Sequence, residues 1–227
     1  MQYKIEGTTM PSLDITLRPG EAIYTEKGGM AWMSGDVSMK TSSKGGVLKG
    51  LGRRLAGESF FMTTYSCNSG EALITFTPEA PGSIIPRELA AGESLICQKD
   101  AFMCAQESVK LEMHFRKKLG SGLFGGEGFI LQKVSGPGIA FLEISGEVRE
   151  YELQAGQTMQ IDPGHIAIFE PTVKYDLARV KGMKNILFGG EGLFLARLTG
   201  PGRIWLQSMP LINLAAAIRS VLPTSGQ

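Results

Sequence analysis

Polar and apolar residues alternate in Lys110-Leu111-Glu112-Met113-His114-Phe115 and again in Arg149-Glu150-Tyr151-Glu152-Leu153. A period of two sends successive side chains to opposite faces, so both segments predict strands with one wet face. Other apolar runs are short: Phe60-Phe61-Met62, Phe129-Ile130-Leu131 and Leu193-Phe194-Leu195. They are bounded by glycine rather than by helix caps, and they too predict strands. Gly136-Pro137-Gly138 and Gly200-Pro201-Gly202 suit hairpin connections, because glycine reaches positive φ without a Cβ clash and proline fixes its own φ. Only the end of the chain has helical spacing. Residues Leu211 to Leu222, stopped by Pro223, predict one helix of about three turns. Its apolar character suits packing over an open sheet end or against a neighbouring subunit.

The strands recur in blocks. Leu123-Phe124-Gly125-Gly126-Glu127-Gly128-Phe129 returns as Leu187-Phe188-Gly189-Gly190-Glu191-Gly192-Leu193, 64 residues later, and each is followed in register by its Gly-Pro-Gly. A weaker copy is Leu55-Ala56-Gly57-Glu58-Ser59-Phe60. A second marker, Leu-x-x-Gly-Glu/Gln, starts at Leu17, Leu89 and Leu153, with glycines 72 and 64 residues apart. Matching order and spacing predict an all-β chain of three tandem β-sandwich or β-barrel repeats, near 10–80, 81–145 and 146–210, closed by the helix at 211–222. The whole of 1–227 reads as a single domain.

Composition supports a packed core: 43% of residues are hydrophobic and 20% charged. The 23 basic and 22 acidic residues nearly cancel, which excludes a global field that would draw the whole molecule onto nucleic acid or an anionic membrane. The start of the chain carries no basic segment followed by an apolar run, and no stretch is long enough to span a bilayer, so the expected location is cytoplasmic. Cys67, Cys97 and Cys104 are odd in number, lie in apolar segments and lack Cys-x-x-Cys spacing, which predicts reduced core thiols.

Reactive constellations do not emerge. Gly120-Ser121-Gly122-Leu123-Phe124-Gly125 matches G-x-G-x-x-G, but a strand follows where a dinucleotide site needs a helix. His114 and His165 have no companion at metal-ligand spacing, and no Gly-x-Ser-x-Gly is present. We therefore expect no catalytic residues, no cofactor and no metal. Glu58, Glu127 and Glu191 occupy one slot, each after a glycine (Gly57, Gly126, Gly190), and fit a repeated turn better than catalysis, which needs different groups in different roles. Basic residues gather before these slots: Arg53 and Arg54; Arg116, Lys117 and Lys118; Arg179, Lys181 and Lys184. Around an axis they would form a positive rim able to meet RNA phosphates or acidic phospholipid.

The Leu-Phe-Gly-Gly-Glu-Gly copies, the Gly-Pro-Gly turns and the closing Trp205-Leu206-Gln207-Ser208-Met209-Pro210-Leu211 resemble the AIM24 family, found in bacteria, archaea and fungal mitochondria. The resemblance covers nearly the whole chain. It implies a fold similar to the tryptophan RNA-binding attenuation protein (TRAP), three such β units per chain, and a homo-oligomer, a trimeric ring. It supplies no catalytic residues to transfer. Fungal members are linked to mitochondrial inner-membrane organisation, but an amphipathic, arginine-rich leader is not evident here. The leading expectation is a non-enzymatic oligomeric scaffold. The alternatives are an anion-binding module for RNA or a membrane surface, and an enzyme or small-ligand binder with its site between repeats or subunits.

Overall fold

The computed structural model describes residues 1–26, 29–44, 60–117, 128–179 and 194–222. The chain opens with β1 (Gln2–Glu6), β2 (Ser12–Leu17), β3 (Ala22–Thr25) and the two long strands β4 (Met30–Lys44) and β5 (Phe60–Phe76). It continues through β6 (Gly82–Leu89), β7 (Ser94–Gln98), β8 (Phe102–Gln106), β9 (Lys110–Lys117), β10 (Phe129–Ser135) and β11 (Gly138–Ser145). The last third holds β12 (Val148–Leu153), β13 (Thr158–Ile161), β14 (Ile166–Phe169), β15 (Lys174–Arg179), β16 (Phe194–Thr199) and β17 (Gly202–Gln207), then the helix α1 (Leu211–Val221). The protein is thus mostly β with a single C-terminal helix.

Three sheets form, and the largest makes a nearly closed, barrel-like wall. It runs β1-β2-β5-β3-β8-β11-β6, with β4 added on β5; the second runs β12-β17-β14-β7-β10-β9 and the third β13-β16-β15. Pairing is antiparallel throughout the described ladders, as short glycine-bounded strands favour. In β2 the burial alternates with period two, sending Leu13, Ile15 and Leu17 inward. The wet-faced segments predicted around 110–115 and 149–153 are the edge strands β9 and β12. Three apolar clusters fill the interior: one around Ile15, Ile74 and Phe141, one around Cys97, Leu142 and Trp205, and one around Phe129, Phe169 and Ile204.

The ladders share a plan. β11 lies between β6 and β8, as β17 lies between β12 and β14, and the C-terminal half of β5 lies between β2 and the start of β4. All three places carry a register shift, at Phe141/Leu142, at Ile166/Ile168 and at Met30/Trp32.

Two expectations are corrected. The Gly-Pro-Gly elements do not close hairpins. β10 pairs with β7 and β9 while β11 pairs with β6 and β8, so the turn at Pro137 carries the chain from one sheet to the next, and the turn at Pro201 does the same between β16 and β17. The glycines serve close approach. A Cβ on Gly136 would lie 2.4 Å from the carbonyl oxygen of Leu89, and one on Gly200 2.5 Å from that of Leu153. The terminal helix also does not cover a sheet end: none of its residues is buried, and only its first turn, with Leu211, Ile212 and Leu214, is half-buried.

Candidate functional site

Most of the expected site residues, namely Arg53, Arg54, Gly57, Glu58, Lys118, Gly126, Glu127, Lys181, Lys184, Gly190 and Glu191, lie outside the described residues. Arg116 and Lys117 close β9, opposite Ile130 and Phe129. The Lys117 ammonium donates to the carbonyl of Leu177 at 3.1 Å. That contact brings the end of β9 against β15, whose last residue is Arg179. Two of the basic stretches therefore start from adjacent strand ends.

The second marker resolves into one turn used three times. The backbone N–H of Glu21 donates to Arg18, that of Glu93 to Ala90 and that of Gln157 to Gln154, at 2.9–3.0 Å. In return a side-chain oxygen of Glu21, Glu93 or Gln157 accepts the N–H of Arg18, Ala90 or Gln154 at 2.9 Å. Gly20, Gly92 and Gly156 hold φ of 88°, 89° and 78°, the left-handed geometry that the third position of a type II turn requires. The Leu-x-x-Gly-Glu/Gln pattern thus encodes a self-capped turn. His165 is likewise structural, its Nδ1 2.8 Å from the carbonyl of Gln207. Cys67, Cys97 and Cys104 are free and buried, and burial pushes the thiols of Cys97 and Cys104 upward.

Beside the turn at Gly92 the structure opens a cleft of about 480 Å3, lined in part by Arg87, Glu88, Glu93, Glu170, Arg203 and Trp205. The indole of Trp205 is buried, and the guanidinium carbons of Arg87 and Arg203 lie 4.9 and 5.7 Å from its ring centre. Of the carboxylates around the cleft, Glu88 is exposed and the other three are engaged. Glu150 accepts the Trp205 indole N–H at 2.8 Å, Glu170 accepts Nε and the backbone N–H of Arg203 at 2.9 and 3.0 Å, and Glu93 caps its turn. Arg87 differs: its buried Nε has no hydrogen-bond partner among the described residues, and burial pulls its pKa down. Sequence reasoning missed this cleft, because Arg87, Trp205 and Arg203 come from β6 and β17 and meet only through the sheets.

A second feature is a pair of open strand edges. β3 pairs with β8 through Ile23↔Gln106 and Tyr24↔Ala105, and β7 pairs with β14 through Ile96↔Phe169 and Cys97↔Ile168. β13, which follows its self-capped turn as β3 and β7 follow theirs, pairs only with β16 among the described residues. The start of β4 faces β5 as β8 and β14 face β11 and β17, and among the described residues it too pairs on that side alone. Trp32 and Met33 there are 54% and 39% exposed, whereas the residues in the same ladder position are fully buried, Cys104 and Ala105 in β8, Ile168 and Phe169 in β14.

Fold and edges define a multi-sheet β protein whose sheets combine strands from successive segments of one chain. Residues 3–209 match the family model described as mitochondrial biogenesis AIM24, and the chain belongs to that family. It is 30% identical over 235 residues, spanning 99% of this chain and 92% of the relative, to the uncharacterized protein M6_Spy0233 of Streptococcus pyogenes serotype M6. The crystal structure of protein SPYM3_0169 from Streptococcus pyogenes is similar, with a TM-score of 0.77 at 26% identity, covering 97% of this chain and 99% of that one. No helix among the described residues is long and apolar enough to cross a membrane.

Proposed function

We propose that this protein is a non-enzymatic assembly module whose copies join head to tail by strand pairing. The chain is read as three copies of one β unit, near 10–80, 81–145 and 146–210, within the single domain 1–227. The recurring ladders, the shared register shift and the thrice-used turn support that reading. Each unit then hands its β3-type strand to the β8-type strand of the next. The observation that carries the proposal is the mismatch at the two ends: the last unit offers β13 with no such partner among the described residues, and the first offers an exposed apolar edge at Trp32 and Met33. Extending the register of the two internal joints sets Gln160 of one copy opposite Met33 of the next, and Ile161 opposite Trp32. An open edge of this kind is a template for another chain. Closure of such an array gives a cyclic homo-oligomer, of which the trimer expected above is one size.

Light scattering tests this. The wild-type protein is expected as a closed oligomer, and Met33→Lys, which places a charge in the joint, as a monomer of unchanged fold by circular dichroism. The double variant Met33→Cys/Gln160→Cys, oxidised gently, should give disulfide-linked multimers on a non-reducing gel. A disulfide formed within single chains, or a wild-type monomer at all concentrations, overturns the proposal.

A further inference from the structure

The cleft at Trp205 has a counterpart that the chain fills with its own strand. β2 is flanked on its outer edge by β1, from Gln2↔Thr16 to Glu6↔Ser12. There Tyr3 of β1, opposite Ile15 in the ladder, packs edge-on against Phe141, 5.0 Å between ring centres. The same arrangement recurs one unit later without a covering strand. Arg87 faces Ala140 across its ladder as Ile15 faces Ile74. Gln106 accepts the N–H of Ile139 as Glu170 accepts that of Arg203. Trp205 therefore stands where Phe141 stands, Arg203 where Ile139 stands and Arg87 where Ile15 stands. The outer edge of β6 pairs with nothing among the described residues.

We infer that the open edge of β6, with Arg87 and Arg203 over Trp205, is a docking site for an extended acidic peptide segment of a partner protein, held as β1 is held on β2. The inference uses the unit correspondence of the assembly reading but not the joint between copies. Strand addition supplies main-chain hydrogen bonds and leaves specificity to alternate side chains. Two isoleucines suit the apolar strand β1, whereas an arginine in place of Ile15 suits a carboxylate: Arg203 is already paired with Glu170 and Glu150, and Glu88 beside it is exposed, so Arg87, whose Nε lacks a partner among the described residues, is the group with a donor to spare. Pro86 shortens the available ladder. Proline is tolerated in a strand where its nitrogen faces away from the sheet, so the outer edge lacks one N–H, and the arginines carry more of the recognition than on β2.

The test uses a fluorescein-labelled, acetylated and amidated seven-residue peptide of alternating threonine and valine with one central glutamate. Anisotropy is read on the full chain in the Met33→Lys background, so that failure here is separate from failure of assembly. The glutamate peptide is expected to saturate the protein, to bind at least tenfold more tightly than the same peptide with lysine, and to lose at least tenfold in Arg87→Ala. Arg87→Gln provides a second variant if the alanine chain does not fold, and thermal melts check that both remain native. No binding at 1 mM protein, equal binding of the lysine peptide, or equal binding by folded Arg87 variants overturns the inference. So does displacement of the peptide by inorganic phosphate or citrate at equimolar concentration, which would make this a small-anion site.

Discussion

Glu143 offers the sharpest test of how the eight-stranded sheet handles a buried charge. It lies on β11, half-buried, and its Oε2 accepts the backbone N–H of Glu79 at 3.0 Å. Burial, reinforced by the charges of Glu79 and Asp100 and opposed by that hydrogen bond, pushes its pKa from 4.5 up to about 8. A folded state that keeps a proton the unfolded chain releases loses stability as pH rises. The sign is therefore fixed: stability is full below pH 4.5, falls through the window from 4.5 to about 8, and is flat above it. At about 1.4 kcal/mol per unit, the loss between pH 5 and 8 has a ceiling of about 3–4 kcal/mol. Partial exposure lets water share the charge, so we expect about 2 kcal/mol. Glu143→Gln keeps an oxygen for the Glu79 N–H and removes the titration. Urea unfolding at pH 5, 6, 7 and 8, at fixed protein concentration, should show the two chains equal near pH 5 and the variant more stable by about that amount at pH 8. Parallel curves across the window would refute the reasoning.

Two further outcomes follow from packing. Gly136→Ala drives a Cβ into the carbonyls of Leu89 and Ala90 and should cost about 2–4 kcal/mol, whereas Gly20→Ala meets nothing and suffers only its positive φ, about 1 kcal/mol. Equal losses in urea titrations would show that the corner tolerates a side chain. Cys97 and Cys104, fully buried with thiols pushed up, should resist a disulfide-exchange reagent in the native protein and react only after unfolding. Native labelling of either at the rate of a free thiol would contradict their place in the core.

The period of two in Lys110–Phe115 and Arg149–Leu153 was enough to read exposed strands, because one residue of shift would move every side chain to the wrong face. Spacing likewise exposed the Leu-x-x-Gly-Glu/Gln turn, since its glycine, its capping oxygen and its hydrogen bond all lie within four residues. Reduced, buried cysteines were legible for a similar reason: their neighbours in the chain are apolar. The Gly-Pro-Gly segments were misread as hairpins because the local chemistry of a tight turn is the same whether the next strand pairs with the last or leaves for another sheet. What forces those glycines is a carbonyl more than 40 residues away.

Pairing at a distance was equally hidden for the candidate surfaces. Arg87 and Trp205 stand 118 positions apart in sequence, and neither residue type at either place announces a cleft. The exposed Trp32-Met33 edge stands out only because its counterparts in β8 and β14 are buried where those strands pair with β3 and β7. Local patterning thus settles which segments are strands, where they turn and which face is apolar, since those depend on a few adjacent side chains. Which strand meets which, and so which edges and arginines are left open, depends on the sum of long-range ladders and burial, and that sum exists only once the sheets have closed around their cores.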